Sequence, residues 1–279
     1  MVKKWLSVAG ILVVIGGVGA VIAFRNTEAS ETKTVEHSID EAFNKIKIKN
    51  DIAKLDIKPT NEDTASIELA NIDPNEYELK HQVKNNQLQV EVKKKGFKLI
   101  NFNIKGMTLT VNLPKEAYEE LKVKSDDGAI GIRDLQIAQI DVQTDNGATK
   151  LEQLTADEIN VNSDNGLIQL KDIKADKVST ESDNGATIME QVNEAEVNSE
   201  SDNGKITLKT SNVERPIQLQ TDNGAIHIQT DKKPENVTFD IKLGNGKAKV
   251  FGSSDWDTKV GNGENLIKLI TDNGNITVE

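Results

Sequence analysis

The sequence predicts an all-β fold: a two-sheet parallel β-solenoid, β-helix-like, made of 19-residue coils, with an N-terminal β cap and one N-terminal transmembrane helix. Three observations lead there. A turn of the type Ser/Thr-Asp-Asn-Gly returns every 19 residues, with glycines at Gly128, Gly147, Gly166, Gly185 and Gly204, and recurs at Gly224 and Gly274. Aliphatic residues alternate with polar ones on either side of each turn. An uncharged apolar run extends from Trp5 to Phe24. A fixed period of this size marks coils that stack because none can bury its apolar face alone.

Residues 1–24 read as a cytoplasmic stub and signal anchor. The 20 residues from Trp5 to Phe24, at about 1.5 Å each, span roughly 30 Å, the thickness of a bilayer core. Lys3, Lys4 and the terminal amine favour the cytoplasmic side, so a single-pass protein of the cell membrane with its C-terminal part extracytoplasmic is expected. The alternative is a signal peptide cleaved after Val21-Ile22-Ala23. Residues 25–38 are polar and read as a tether.

Residues 39–124 read as a non-repeating β cap. Ile46 and Ile48, then Leu88, Val90 and Val92, then Leu109, Val111 and Leu113 each alternate with polar residues, as half-buried strands do. Asn85-Asn86 and Lys95-Gly96 look like hairpin turns. Pro114-Lys115-Glu116-Ala117-Tyr118 reads as one helical turn with Pro at its first position.

Residues 125–230 form the regular solenoid. Counted from each glycine, the second and fourth residues are apolar or Thr: Ile130, Thr149, Ile168, Thr187, Ile206 and Ile226, then Ile132, Leu151, Leu170, Met189, Leu208 and Ile228. Leu135, Leu154, Ile173 and Val192 follow at seven, and Ile140, Ile159, Val178 and Val197 at twelve. Each coil is therefore two strands and two turns, with like positions stacked about 4.8 Å apart in parallel sheets. Asn and Gly at the corner suggest a positive φ there. In residues 231–279 the spacing loosens and Phe239, Phe251 and Trp256 gather, which suggests irregular C-terminal coils and a cap.

Composition excludes some functions. Acidic residues outnumber basic ones, 45 to 34, for a net charge of −11. Aromatics make up 4% of residues, so neither a basic stripe nor a stacking platform for nucleic acid is evident. With no cysteine, disulfides and thiolate metal sites are excluded. His37, His81 and His227 lie far apart in sequence, which argues against a histidine metal centre. No phosphate loop, nucleophile elbow or triad occurs, so no catalytic residue and no cofactor is assigned.

The repeated Asp126, Asp145, Asp164, Asp183, Asp202 and Asp222 form a ladder along one edge. Each is expected to bond its own turn backbone; the competing reading is a row of weak Ca²⁺ sites. The matching asparagines are expected to bond one another up the stack. Lys93-Lys94-Lys95-Gly96-Phe97-Lys98 is the concentrated basic segment, a solvated tip or a contact for an anionic headgroup or wall polymer; envelope proteins and anionic wall polymers are the partners to consider. Acidic pairs such as Asp157-Glu158 could serve a glycosidase, yet no pair differs from the others.

The pattern [Ser/Thr]-Asp-Asn-Gly-x-[Ile/Thr]-x-[Leu/Ile] resembles the putative-adhesin, β-strand-repeat family of bacterial envelope proteins, and in particular its LiaG-like members from Gram-positive bacteria. The resemblance covers about Ile39 to Glu279 and is strongest from Ser125 to Thr230. It implies a non-enzymatic, membrane-anchored extracytoplasmic protein with a scaffold, adhesin-like or envelope-stress accessory role. The other readings are a carbohydrate-active β-helix enzyme and a cation-binding repeat module.

Overall fold

The computed structural model describes residues 33–95, 106–255 and 258–279. The expected membrane span and most of the expected tether lie outside them. No helix of the described residues is long and apolar enough to cross a membrane. The N-terminal strands are β1 (Lys33–Ile39), β2 (Lys45–Asn50), β3 (Lys54–Thr60), β4 (Ala65–Ile72), β5 (Tyr77–Lys84), β6 (Gln87–Lys94), β7 (Thr108–Pro114) and β8 (Ala117–Ser125). Then come β9 (Ile130–Arg133), β10 (Gln136–Thr144), β11 (Thr149–Glu152), β12 (Glu158–Ser163), β13 (Ile168–Ile173), β14 (Lys177–Ser182), β15 (Thr187–Val192) and β16 (Glu196–Ser201). The last are β17 (Ile206–Thr210), β18 (Ile217–Thr221), β19 (Ile226–Thr230), β20 (Val237–Asn245), β21 (Ala248–Val250), β22 (Lys259–Val260), β23 (Asn265–Asn273) and β24 (Ile276–Val278).

These strands make two 12-stranded sheets, mostly parallel. The chain crosses from one to the other at each Asp-Asn-Gly corner. Register follows the 19-residue period: Ile130, Thr149, Ile168 and Thr187 stack in one column, and Ile140, Ile159, Val178 and Val197 in the facing sheet. Leu151, Leu170, Met189 and Leu208 are wholly buried. The core is thus a set of aliphatic columns, each rung fixed by the one below.

The repeat glycines serve a purpose other than the one their sequence suggests. Among the described residues, none of the corner glycines from Gly128 to Gly224 has a positive φ, nor do their asparagines. A Cβ at Gly147 would instead overlap the carbonyl oxygen of Gly128, and one at Gly166 that of Gly147, continuing up to Gly224 over Gly204. Glycine is needed because consecutive corners nest backbone on backbone.

The left-handed residues come six positions after the glycine: Asp134 (φ 57°), Gln153 (53°), Asp172 (54°) and Gln191 (57°). At each, two successive side chains point outward. That resets the alternation and returns Leu135, Leu154, Ile173 and Val192 to the core.

Three expectations are corrected. Residues 33–38, read as the end of the tether, belong to β1 (Lys33–Ile39), an edge strand antiparallel to β4. Pro114–Tyr118 is no helical turn. The Glu116 N–H closes a tight turn on the Pro114 carbonyl (2.9 Å), and buried Tyr118 enters β8 in register with Ile137. One isolated helical turn has a costly nucleus, whereas the neighbouring coil offers ladder partners. Gly96 of the expected Lys95-Gly96 turn lies outside the described residues, and the next described strand, β7, belongs to the other sheet from β6; Asn85-Asn86 does form a hairpin, with φ of 52° and 62°.

The third correction concerns the cap, which contains coils of its own. β2 and β3 stack on β8 and β9. Their corner, Asn50-Asp51-Ile52-Ala53, is a disguised repeat turn, with Asn50 in register with Ser125.

Stack order departs from chain order at both ends. β2 lies between β6 and β8, and β23 between β18 and β20. The coil ending in Val278 is therefore inside the stack, with β20 and β21 outside it.

One coil carries an extra residue, and a buried arginine repairs the ladder there. In regular coils the Leu135 carbonyl accepts from the Thr155 N–H, and the Ala138 carbonyl from the Asp157 N–H. At the irregular coil the equivalent carbonyls, Val192 and Ala195, accept from the Arg215 guanidinium at 2.6 Å each. Arg215 also donates to the Asn212 carbonyl. Burial pushes its pKa down to about 10, so it remains cationic at neutral pH.

Candidate functional site

The Asp-Asn-Gly edge is the most regular chemical feature. Its backbone is bonded from coil to coil: the Asp164 N–H donates to the Thr144 carbonyl (3.1 Å) and the Asn165 N–H to the Asp145 carbonyl (2.8 Å). At four corners the buried hydroxyl preceding the Asp caps the turn, whereas those of Thr221 and Thr271 donate to the glycine carbonyl of the coil below. Thr144, Ser163, Ser182 and Ser201 accept from the N–H of Gly147, Gly166, Gly185 and Gly204 at 2.8–3.1 Å. The turn-satisfying role expected of Asp thus belongs to Ser and Thr, whose oxygens point inward.

The asparagines form one chain of amides. Asn245 donates to Asn273, Asn273 to Asn223, Asn223 to Asn203, Asn203 to Asn184, Asn184 to Asn165 and Asn165 to Asn146, all at 2.8–2.9 Å. Asn146 donates last to the Asp127 carboxylate, at 2.9 Å. Every amide points its N–H₂ the same way, so the dipoles add and their positive end meets a carboxylate. Asp127 interrupts the motif in sequence, yet it ends the ladder with a charge-assisted bond.

Asp126, Asp164, Asp183, Asp202 and Asp222 are exposed beside this ladder, and Asp145 is half-buried. Burial, then Asp51 and Asp145, push the Asp126 carboxyl up, with Lys124 opposing. The column supplies one carboxylate per coil. Among the described residues no three His, Cys, Asp or Glu side chains converge to hold a metal ion. In thermal melts of the full chain, calcium is expected to give a small, salt-like rise that magnesium matches at the same ionic strength, because screening acts on all exposed charges. A large calcium-specific rise, lost in Asp164→Asn with Asp183→Asn, would establish the cation reading instead.

Sequence separation misled for the histidines. The His37 and His81 rings lie 4.4 Å apart, where β1 and β5 close the N-terminal end of the stack. Burial and then His37 push the His81 imidazole below its usual range, with Glu41 acting the other way. A cavity of about 570 Å³ adjoins them, lined also by Lys47, Lys49, Lys80 and Gln82.

The expected basic segment is partly neutralised. Lys93 meets Glu78 at 3.5 Å, and the Lys95 ammonium is held by the Pro74 carbonyl at 2.9 Å. Residues 96–98 lie outside the described part. Asp157 and Glu158 sit on the bend into β12, and Glu158, in register with Lys177 one coil on, meets its ammonium at 3.4 Å, so the acidic pair is not repeated there.

The model of the Toastrack DUF4097 family matches residues 43–279. The chain belongs to the Toastrack family. Its match begins just before β2 and takes in both irregular ends. Solved structures to which the chain is similar include these three. The "putative adhesin" of Bacteroides fragilis is 15% identical, with 90% of this chain and 99% of that one covered and a TM-score of 0.45. A "putative adhesin" of Parabacteroides distasonis is 12% identical, with coverages of 89% and 98% and a TM-score of 0.47. A "putative lipid binding protein" of the same species is 15% identical, with coverages of 90% and 98% and a TM-score of 0.43. No curated protein matches this Toastrack chain in sequence.

Proposed function

We propose that this Toastrack protein is a membrane-anchored, extracytoplasmic β-repeat protein with a non-catalytic scaffold, adhesin-like or envelope-stress accessory role, as in LiaG-like proteins. One observation carries the reading: along the repeat edge, polar side chains spend their hydrogen bonds on one another. The amide ladder and the capped corners bind coil to coil, which suits a rigid spacer. An active site requires a polar cluster unlike its surroundings, whereas each regular coil repeats the corner chemistry of the one below. The 20-residue apolar run and the lysines before it support the anchor.

Protease added to wall-stripped cells with intact membranes is expected to remove the repeat region, followed by immunoblotting against residues 33–279. Survival of that region, or its quantitative recovery as a free form starting after Ala23, would refute the anchored topology.

A further inference from the structure

The outer faces of the two sheets treat charge differently. On the first, cations sit beside anions in neighbouring coils. Arg133 bonds both oxygens of Asp56, and Lys209 meets Glu190 at 2.6 Å. On the second, at its N-terminal end, lysines stack on lysines: Lys47 is in register with Lys122, and Lys49 with Lys124. Like charges directly opposite destabilise a sheet.

Neighbouring carboxylates relieve only part of this. Glu78 is shared by Lys80 (3.0 Å) and Lys93 (3.5 Å), and Glu120 takes Lys122 (2.6 Å). Glu91 is in register with Lys49 and lies 3.9 Å from Lys93. Among the described residues, Lys47, Lys49 and Lys124 have no ion-pair partner within 4.0 Å. The surplus lies in a chain of net charge −11, so it is a local feature and not a consequence of composition.

Two of these lysines border a concavity. Lys47 and Lys49 line the cavity of about 570 Å³ together with Lys80, Gln82, His37 and His81, and with Glu91 as its one carboxylate among the described residues. The Gln82 amide is oriented by its bond to Gln89 (2.9 Å), and Gln89 by its bond to Gln87 (2.9 Å). The ammonium groups of Lys47, Lys49 and Lys80 and the Gln82 amide share the outer face, in rows across β2, β6 and β5, and are donors for a multivalent oxyanion, whereas His81, opposite buried Val90, is on the other face of β5. The volume exceeds that of a bare ion and falls in the range of ligand-sized sites.

We propose that this cleft binds a phosphate-bearing anion, a phosphomonoester or phosphodiester, with Lys47 and Lys49 supplying the charge from its lining and Lys124, in register with Lys49 on β8, from beside it. Three unpaired ammonium groups suit a polyvalent phosphate better than a single carboxylate. The group could come from a soluble phosphate ester or from a lipid headgroup. The site stands on the lysine patch alone and does not depend on the anchor.

The test uses the full chain in nanodiscs of phosphatidylcholine, titrated calorimetrically with glycerol 3-phosphate at constant ionic strength. Saturable binding is expected. It should weaken at least tenfold in Lys47→Gln/Lys49→Gln/Lys124→Gln, and less than twofold in the charge-matched control Lys150→Gln/Lys171→Gln/Lys209→Gln. The lysine-patch variant should fold at least as well as the native chain, since it removes repulsion, and its melting temperature checks this. Repeating the titration in phosphatidylglycerol discs separates the sources. A weakened apparent affinity identifies headgroups as occupants, and an unchanged one a soluble ester. Absence of saturable binding, or equal loss in the two variants, would overturn the proposal.

Discussion

Gly166→Ala is expected to destabilise the protein by at least about 3 kcal/mol, a large effect for one methyl group. The added Cβ would overlap the Gly147 carbonyl oxygen and lie 2.7 Å from the Ser163 hydroxyl oxygen that caps the turn. A side chain could rotate away, but this obstacle is backbone already committed to the ladder of the coil below. Relief requires opening the stack at that rung, which also strains the amide bond between Asn165 and Asn146. Gly131→Ala is the control. Its Cβ would meet nothing nearer than 3.7 Å, and a change of under about 1 kcal/mol is expected. Urea melts of the two variants decide the matter, and equal losses would mean that the corners do not nest as described.

Leu170→Asp should have the other large effect. Leu170 is wholly buried, stacked between Leu151 and Met189. The substitution removes an aliphatic rung and places a carboxylate where no donor waits, for a loss of about 4 kcal/mol or more. Its neighbour Lys171 is exposed, in register with Glu152 and Glu190. Lys171→Gln should therefore cost under about 0.5 kcal/mol. Lys171→Asp would set three carboxylates in a row, raising the cost to about 1 kcal/mol. A loss for Lys171→Gln equal to that for Leu170→Asp would show that inward and outward faces are exchanged.

The aliphatic columns were legible because burial imposes a period of two within a strand and a period of 19 between coils, and both survive in residue type. The amide ladder was legible for the same reason. What was hidden depends on contacts between coils. Glycine at a corner looks the same whether it supplies a positive φ or leaves room for a carbonyl. Asp134 and Gln153 carry the left-handed conformation without a residue type that announces it. Asn50-Asp51-Ile52-Ala53 escaped notice because its asparagine stands where Ser or Thr stands elsewhere and its alanine where glycine does. Nothing in the sequence marks Arg215 as buried, since only the carbonyls of another coil explain its burial. The pairing of His37 with His81, and of Lys47 with Lys122, required knowing which distant strands become neighbours.

The displaced stack order bears on how the protein would respond to mechanical load. In a solenoid wound in simple sequence, a pull on the last strand would peel rungs away one after another from a free edge. Here the last strand, β24, is hydrogen-bonded on one side to β19 and on the other to β21, and β23 before it likewise to β18 and β20. Tension applied at Glu279 along the strand would load both ladders in shear, and many bonds must yield together before anything moves. Such a clasp resists unravelling from that end without a disulfide, in a chain that contains no cysteine.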